Sequence, residues 1–366
     1  MRLYHLVVVA GAVAIATAGC DPLGSGNPSS AGQDSAGGAQ VPSPAPQEFD
    51  FVGTRTAGPL NWLGDGSKLL VAGLTTAISG NGLVVVSPLT FIPAAGNSPE
   101  TPRTFGGPIL SVACDQSTNC YLDLPDGRIL RISVTGDTSA VAPQGAVEFT
   151  ASDNGRFIAR PRLDSDGIEI IDVTTKNKVT FPGSATTPLL GISPDGLTAV
   201  EAAGTGVTRV NVVDGTSSSP SLPQHAGWTF NSVIGARWAG ATPHLFVLTR
   251  WDSLMRTRFY EYDTDASVET MLGETVGTRV TVISASWRPG VHRAAASVQT
   301  QCLQAQLGHC NWWQFDLLLF DNGTVSRISR VTGETLYIAT LSPDGKTAGY
   351  LMRGLSGTFL YLKALP

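Results

Sequence analysis

The pentapeptide Ser342-Pro343-Asp344-Gly345-Lys346 lies between two β-prone runs, 336–341 and 347–351, and versions of it return along the whole chain. Each residue has a reason to sit in a tight turn. Pro presets φ, Asp bonds back to the backbone, and Gly accepts positive φ without strain. The unit therefore reads strand, turn, strand. It returns as Ser193-Pro194-Asp195-Gly196 before Leu197-Thr198-Ala199-Val200, and as Ser152-Asp153-Asn154-Gly155 before Arg156-Phe157-Ile158-Ala159. A partial copy, Gly64-Asp65-Gly66-Ser67-Lys68, follows Trp62 and Leu63. Looser copies stand at Val112 to Tyr121, Ala236 to Gly240 and Ala285 to Gly290. Every Asp in these turns is expected to do turn chemistry.

The units begin near residues 62, 111, 151, 192, 236, 284 and 341, so successive steps are 49, 40, 41, 44, 48 and 57. A period of about 40 to 50 residues is that of a β-propeller, with four strands to each blade. After each unit come further alternating runs, such as Phe259-Tyr260-Glu261-Tyr262-Asp263 and then Val268-Glu269-Thr270-Met271. Helical periodicity is absent, and 41 Gly with 23 Pro punctuate the chain too often for helices of normal length. The expected fold is all-β, a seven-bladed propeller. After Thr358 to Lys363 only three residues remain, enough for a third strand of the last blade but not a fourth. The extended run Glu48-Phe49-Asp50-Phe51-Val52-Gly53 is expected to supply that strand, because an open ring would leave bare strand edges.

With their Ser-Pro-Asp-Gly-Lys turn between first and second strands, these units resemble TolB-type and WD-like propeller repeats. The resemblance covers the repeat domain as architecture and implies no particular activity.

A second resemblance concerns the N-terminus. Arg2 precedes an apolar run from Leu6 to Ala16, and Thr17-Ala18-Gly19 leads into Cys20. A charged start, a short apolar core and a small-residue exit make a secretory signal peptide. Ala18-Gly19-Cys20 resembles the lipobox of bacterial lipoproteins, although Thr17 stands where Leu is usual. The resemblance implies cleavage before Cys20 and diacylation of its thiol. More than one acyl chain gives stable anchoring, which a single chain does not. The following Gly/Ser/Pro-rich stretch cannot bury a core and reads as a flexible tether. The expected organisation is a signal peptide over 1–19, lipidated Cys20 and tether over 20–47, and the propeller over 48–366. The protein is then exported and lipid-anchored at a bacterial cell membrane, facing the periplasm or the exterior.

Loss of Arg2 with the leader takes the formal charge from −5 to −6. A mildly acidic chain with no basic block argues against nucleic acid as partner. The four Cys that remain form two close pairs, Cys114/Cys120 and Cys302/Cys310, and an even number in an exported domain reads as disulfides. Local pairing is the simplest connectivity, with Cα separations of about 4.4 to 6.8 Å. A metal site through Cys302, His309 and Cys310 is disfavoured, because adjacent His and Cys do not easily reach one ion.

No motif for catalysis stands out. A Gly-x-Ser-x-Gly elbow and a phosphate loop are both absent, and the blades leave no room for a separate hydrolase domain. No cofactor or metal is expected. His225, His244, His292 and His309 are not at metal spacing. One region departs from a plain blade: the second-to-third connection of blade six reads as an enlarged loop from Gln299 to Trp313, closed by Cys302 and Cys310. The equivalent connection of blade five carries Arg250, Trp251, Arg256 and Arg258, and the segment before it carries His225 and Trp228. Second-to-third and fourth-to-first connections emerge on the same face. Trp and Arg dominate binding hot spots, so Trp228, Trp251, Trp312 and Trp313, with Arg250, Arg256 and His309 as a polar rim, are the candidate binding residues. The competing reading is that these rings pack as a satellite core. The chain is expected to be a monomeric binding or scaffold protein of the cell envelope, engaging a protein or glycan. The alternative is an envelope hydrolase or lyase with paired carboxylates in the central channel.

Overall fold

The computed structural model describes residues 47–50, 56–79, 82–95, 100, 103–115, 118–142, 149–162, 167–181, 189–204, 206–228, 230–251, 256–275, 281–288, 291–306, 309–332, 335–353 and 358–366. Their strands form seven four-stranded antiparallel sheets arranged as the blades of a propeller. Each of the seven repeat units falls on the innermost strand of a separate blade. These inner strands are Thr56–Trp62, Ser111–Cys114, Thr150–Ala151, Leu189–Ile192, Phe230–Ala239, Thr281–Arg288 and Thr335–Leu341. Six blades are built from four consecutive strands. The seventh takes three from the C-terminus and its outermost from the N-terminus: Gln47–Asp50 pairs antiparallel with Thr358–Ala364, Gln47 opposite Leu362 and Asp50 opposite Phe359. The ring is closed as expected. Residues 51–53 of the expected segment lie outside the described residues.

Turn chemistry explains the repeat in atomic terms. Ser342 Oγ donates to Asp344 Oδ1 at 2.6 Å, which also accepts from Lys346 N at 3.0 Å, while Ser342 Oγ accepts from Thr347 N at 2.9 Å. Ser193 and Asp195 make the same bonds to each other, to Leu197 N and to Thr198 N. In blade three the acceptor is Asn154, one residue after Asp153. Gly345 sits at φ +71°, where a side chain would be strained. The Ser342 hydroxyl, followed by the Lys346 N–H and charge, holds the Asp344 carboxyl below its ordinary range against the opposing effect of burial. A depressed carboxylate contributes stability that is complete above its unfolded pKa of about 3.9 and is lost as pH falls through its folded value. Asp344→Asn is therefore expected to flatten the acid limb of a melting-temperature titration below about pH 4. An unchanged slope would show that the turn carries no such linkage.

Blade two lacks Ser-Pro-Asp-Gly and solves the same turn differently. Cys114 and Cys120 are disulfide-bonded across the hairpin, with Cα atoms 4.0 Å apart. That is closer than the expected range, because the two face each other as a non-hydrogen-bonded cross-strand pair, the close kind in an antiparallel ladder. Asp115 accepts from Asn119 N and Asn119 Nδ2, completing the turn. Burial, then the nearby Asp115 carboxylate, pushes the Tyr121 hydroxyl up to about 12. Cys302 is also disulfide-bonded. The side chain of Cys310, its expected partner, lies outside the described residues.

The core lies between blades. Trp62, Leu69 and Ile92 of blade one pack against Leu351, Leu360 and Leu362 of blade seven. Trp287 and Ala294 of blade six pack against Phe259 and Leu272 of blade five. Inner strands approach closely where side chains are small. A Cβ on Gly191 would lie 2.5 Å from Ala236 O and 2.8 Å from the Trp238 ring, so this position admits only glycine.

The enlarged loop of blade six is in fact a long hairpin, Arg293–Gln306 with His309–Asp321. Repeated register shifts near Thr300 and Leu303 keep it paired nearly to its tip. Blade one carries a comparable hairpin, Lys68–Ser79 with Gly82–Pro93, that the sequence reading did not anticipate. Its Leu83, Val84 and Val85 are exposed.

Candidate functional site

Two places in the ring gather chemistry. The first is the face carrying the second-to-third connections. Strand Arg256–Asp263 of blade five starts on that face, and strand Val268–Thr275 ends there. Arg258 stands opposite Glu274 and donates to its Oε2 through both Nε and Nη2, at 3.3 and 3.1 Å. Arg256 Nη1 lies 3.1 Å from the other oxygen of Glu274. The Arg258 guanidinium covers the Trp228 ring, 4.6 Å from its centroid. One carboxylate thus fixes two guanidinium groups, one of them stacked on an indole. Trp251 stands opposite Arg256 in strand register, and Arg250 opposite Thr257. The side chains of Arg250, Trp251, His309 and Trp312 lie outside the described residues, as does Cys20. Trp313 is half-buried against Phe315, Leu317, Ala339 and Tyr350 between blades six and seven, so its ring serves the core. Glu274, which organises the cluster, was not singled out in the sequence. Its only signal is its cross-strand position opposite an Arg.

The second place is the central channel, where a cavity of about 770 Å³ opens at the end formed by the first-to-second-strand turns. The residues lining it come from all seven inner strands and the turns that follow them. Among the described residues of those seven strands, the charged side chains are Arg237 and Arg288. Both line the cavity, as does Asp153. Asp153 departs from the expected turn role. It occupies the Pro position of its unit, leaves the turn to Asn154, and reaches past blade four. Its Oδ1 accepts from Arg237 Nη1 at 2.8 Å and its Oδ2 from Trp238 N at 2.9 Å. Arg288 donates instead to the carbonyls of Leu341 and Ser342, at 2.8 and 3.3 Å. Burial pushes the Arg288 guanidinium down to about 9. The neighbouring Arg237 charge acts in the same direction, and Asp153 opposes both. The sequence did carry a signal here: a charged residue inside an apolar inner strand is costly and needs a reason.

The described histidine side chains, those of His225, His244 and His292, are tied to acids. Glu261, buried between blades five and six, accepts from Trp287 Nε1 at 3.2 Å and lies 2.7 Å from His244 Nδ1 and 3.2 Å from His292 Nδ1. His225 Nε2 lies 2.7 Å from Glu269 Oε2, close enough for an ion pair but not aligned as a hydrogen bond. No group of three metal-ligating side chains converges among the described residues.

The fold is a seven-bladed β-propeller. No protein-family model matches the sequence, and no curated protein sequence does. The structure is similar to the β-propeller domain of Myceliophteria thermophila Cps50 (Swd1), with a TM-score of 0.57 at 10% identity, over 88% of this chain and 100% of that one. It is also similar to an oligogalacturonate lyase in complex with manganese, with a TM-score of 0.54 at 12% identity, over 88% and 91% of the two chains. A chain of a mitotic checkpoint complex gives 0.51 at 13% identity, over 88% and 96%. At such identities the likeness is one of fold alone.

Proposed function

We propose that this chain is a non-enzymatic binding or scaffold protein of the bacterial cell envelope. It is held at the membrane by lipid on Cys20 and engages a protein or glycan partner through the hairpin face of the ring. The observation that carries this reading is the Trp228–Arg258–Glu274–Arg256 cluster. It presents an indole and two guanidinium groups already fixed in place, so little side-chain freedom is left to lose on contact. Aromatic and Arg side chains supply much of the energy of interfaces. The channel supports the same reading: Asp153, the carboxylate among its described lining residues, is committed to Arg237 and to a backbone N–H. Acid–base hydrolysis of a glycan asks for two facing carboxylates.

The test is cross-linking in cells followed by purification from solubilised membranes. Wild type is expected to retain a defined partner in the membrane fraction. Cys20→Ser is expected to leave that fraction. Trp228→Ala with Arg258→Ala is expected to stay in it and lose the partner at least tenfold, with a melting temperature within a few degrees of wild type. A double variant that melts far lower would assign these groups to the core. A Cys20→Ser protein that stays membrane-bound would overturn the anchor.

A further inference from the structure

We propose that the channel cavity is a binding site for a small molecule bearing one ionised carboxylate and several hydroxyl groups. It lies at the opposite end of the ring from the hairpin face and does not depend on the reading above. The argument is one of charge balance. Among the described residues, two guanidinium groups and one carboxylate face the cavity, leaving one positive charge in excess. Arg237 is matched by Asp153. Among the described residues no carboxylate pairs with Arg288, which has only backbone carbonyls as acceptors. Arg288 is half-buried, and an unmatched charge partly withdrawn from water carries a cost that an anion brought by a ligand would offset. A single carboxylate restores neutrality. A phosphate dianion would leave one negative charge in excess, beside Asp153.

The walls indicate the rest of the ligand. Asn61 uses its Nδ2 on Val112 O, and Thr150 gives its hydroxyl proton to Leu189 O, so the oxygens of both remain acceptors. Ser286 Oγ accepts from Leu341 N and keeps its own proton to donate. A wall that both donates and accepts suits hydroxyl groups, which do the same. A cavity of about 770 Å³ is within the range that small-molecule sites occupy. The class that meets all three conditions is a sugar acid.

Isothermal titration of the full-length protein with D-glucuronate, D-glucose and inorganic phosphate tests this. Glucuronate is expected to bind, with glucose and phosphate at least tenfold weaker. Arg288→Gln is expected to weaken glucuronate at least tenfold, about the worth of a charge-assisted hydrogen bond. Arg288→Lys keeps a cation but loses the planar fork, and is expected to weaken binding several-fold. It settles the matter if Arg288→Gln fails to fold. Absence of glucuronate binding, equal binding of glucose, preference for phosphate, or unchanged affinity in the folded Arg288 variants would each overturn the proposal. Trp228→Ala with Arg258→Ala should leave the titration unchanged, so the two sites can fail separately.

Discussion

Deletion of Gln47–Asp50 is expected to lower the melting temperature by about 5 to 10 °C, whereas deletion of residues 24–44 moves it by roughly 1 °C or less. Four residue pairs join this strand to Thr358–Ala364. Backbone bonds are worth about 0.5 to 1.5 kcal/mol each, so with about one bond per pair about 2 to 6 kcal/mol is at stake. The loss has a second effect. Without its cover, the strand holding Leu360 and Leu362 becomes the edge of its sheet beside the seam of blades one and seven. A bare edge of that kind pairs with other chains. The deletion variant should therefore form concentration-dependent oligomers on size exclusion. Equal melting temperatures for the two deletions would show that the clasp carries no weight.

Glu261→Ala is expected to be the most damaging single substitution, costing about 3 to 5 kcal/mol in urea denaturation. The carboxylate is 2% exposed and serves His244, His292 and the Trp287 indole at once. These partners come from two blades. Removing the acid takes away the carboxylate acceptor of the Trp287 indole N–H in the core and releases the turn at His292, which already holds φ +54°. Asp263→Asn is the control. Asp263 lies 3.7 Å from His244 Nε2 and is about a quarter exposed, so its loss should cost less than about 1 kcal/mol. Similar costs for the two variants would mean that Glu261 acts through general electrostatics and not as a bracket between blades.

The number of blades was legible because one local problem, a tight turn after the inner strand, recurs around the ring, and in blades three, four and seven it has one chemical solution. Ser-Pro-Asp-Gly states that solution in residue names, and Ser193 with Asp195 repeats the bonds of Ser342 with Asp344. Ring closure was legible because three strands at the C-terminus left a deficit that an extended run at the N-terminus could fill. The cavity was not legible, because its charges are brought together by ring geometry. Asp153 and Arg237 are 84 residues apart, and Asp153 looks like one more turn acid until its neighbour Asn154 is seen to do that work. The hairpin of blade six was misread as a loop because Gln, Cys and Gly at its tip resemble loop composition. Pairing there is sustained by bulges, which leave no clean alternation to read. Trp313, half-buried, packs against the seam of blades six and seven because the strand continues past the expected boundary.

The N-terminal strand has a mechanical consequence. Gln47, where the chain enters the ring, pairs near the end of the last strand, on the side of the first-to-second-strand turns, and Asp50 lies toward the hairpin face. A pull on the tether directed away from the turn side therefore runs along the strand axis. It loads the cross-strand bonds together, in shear, and does not unzip them one after another. With the proposed lipid at Cys20, drag on a partner held at the hairpin face would bear on the clasp in its strongest direction. Under the proposed anchoring, the segment that takes the load is also the one that closes the ring, so a pull strong enough to free it would open the ring while the domain stays held through the continuous backbone into blade one.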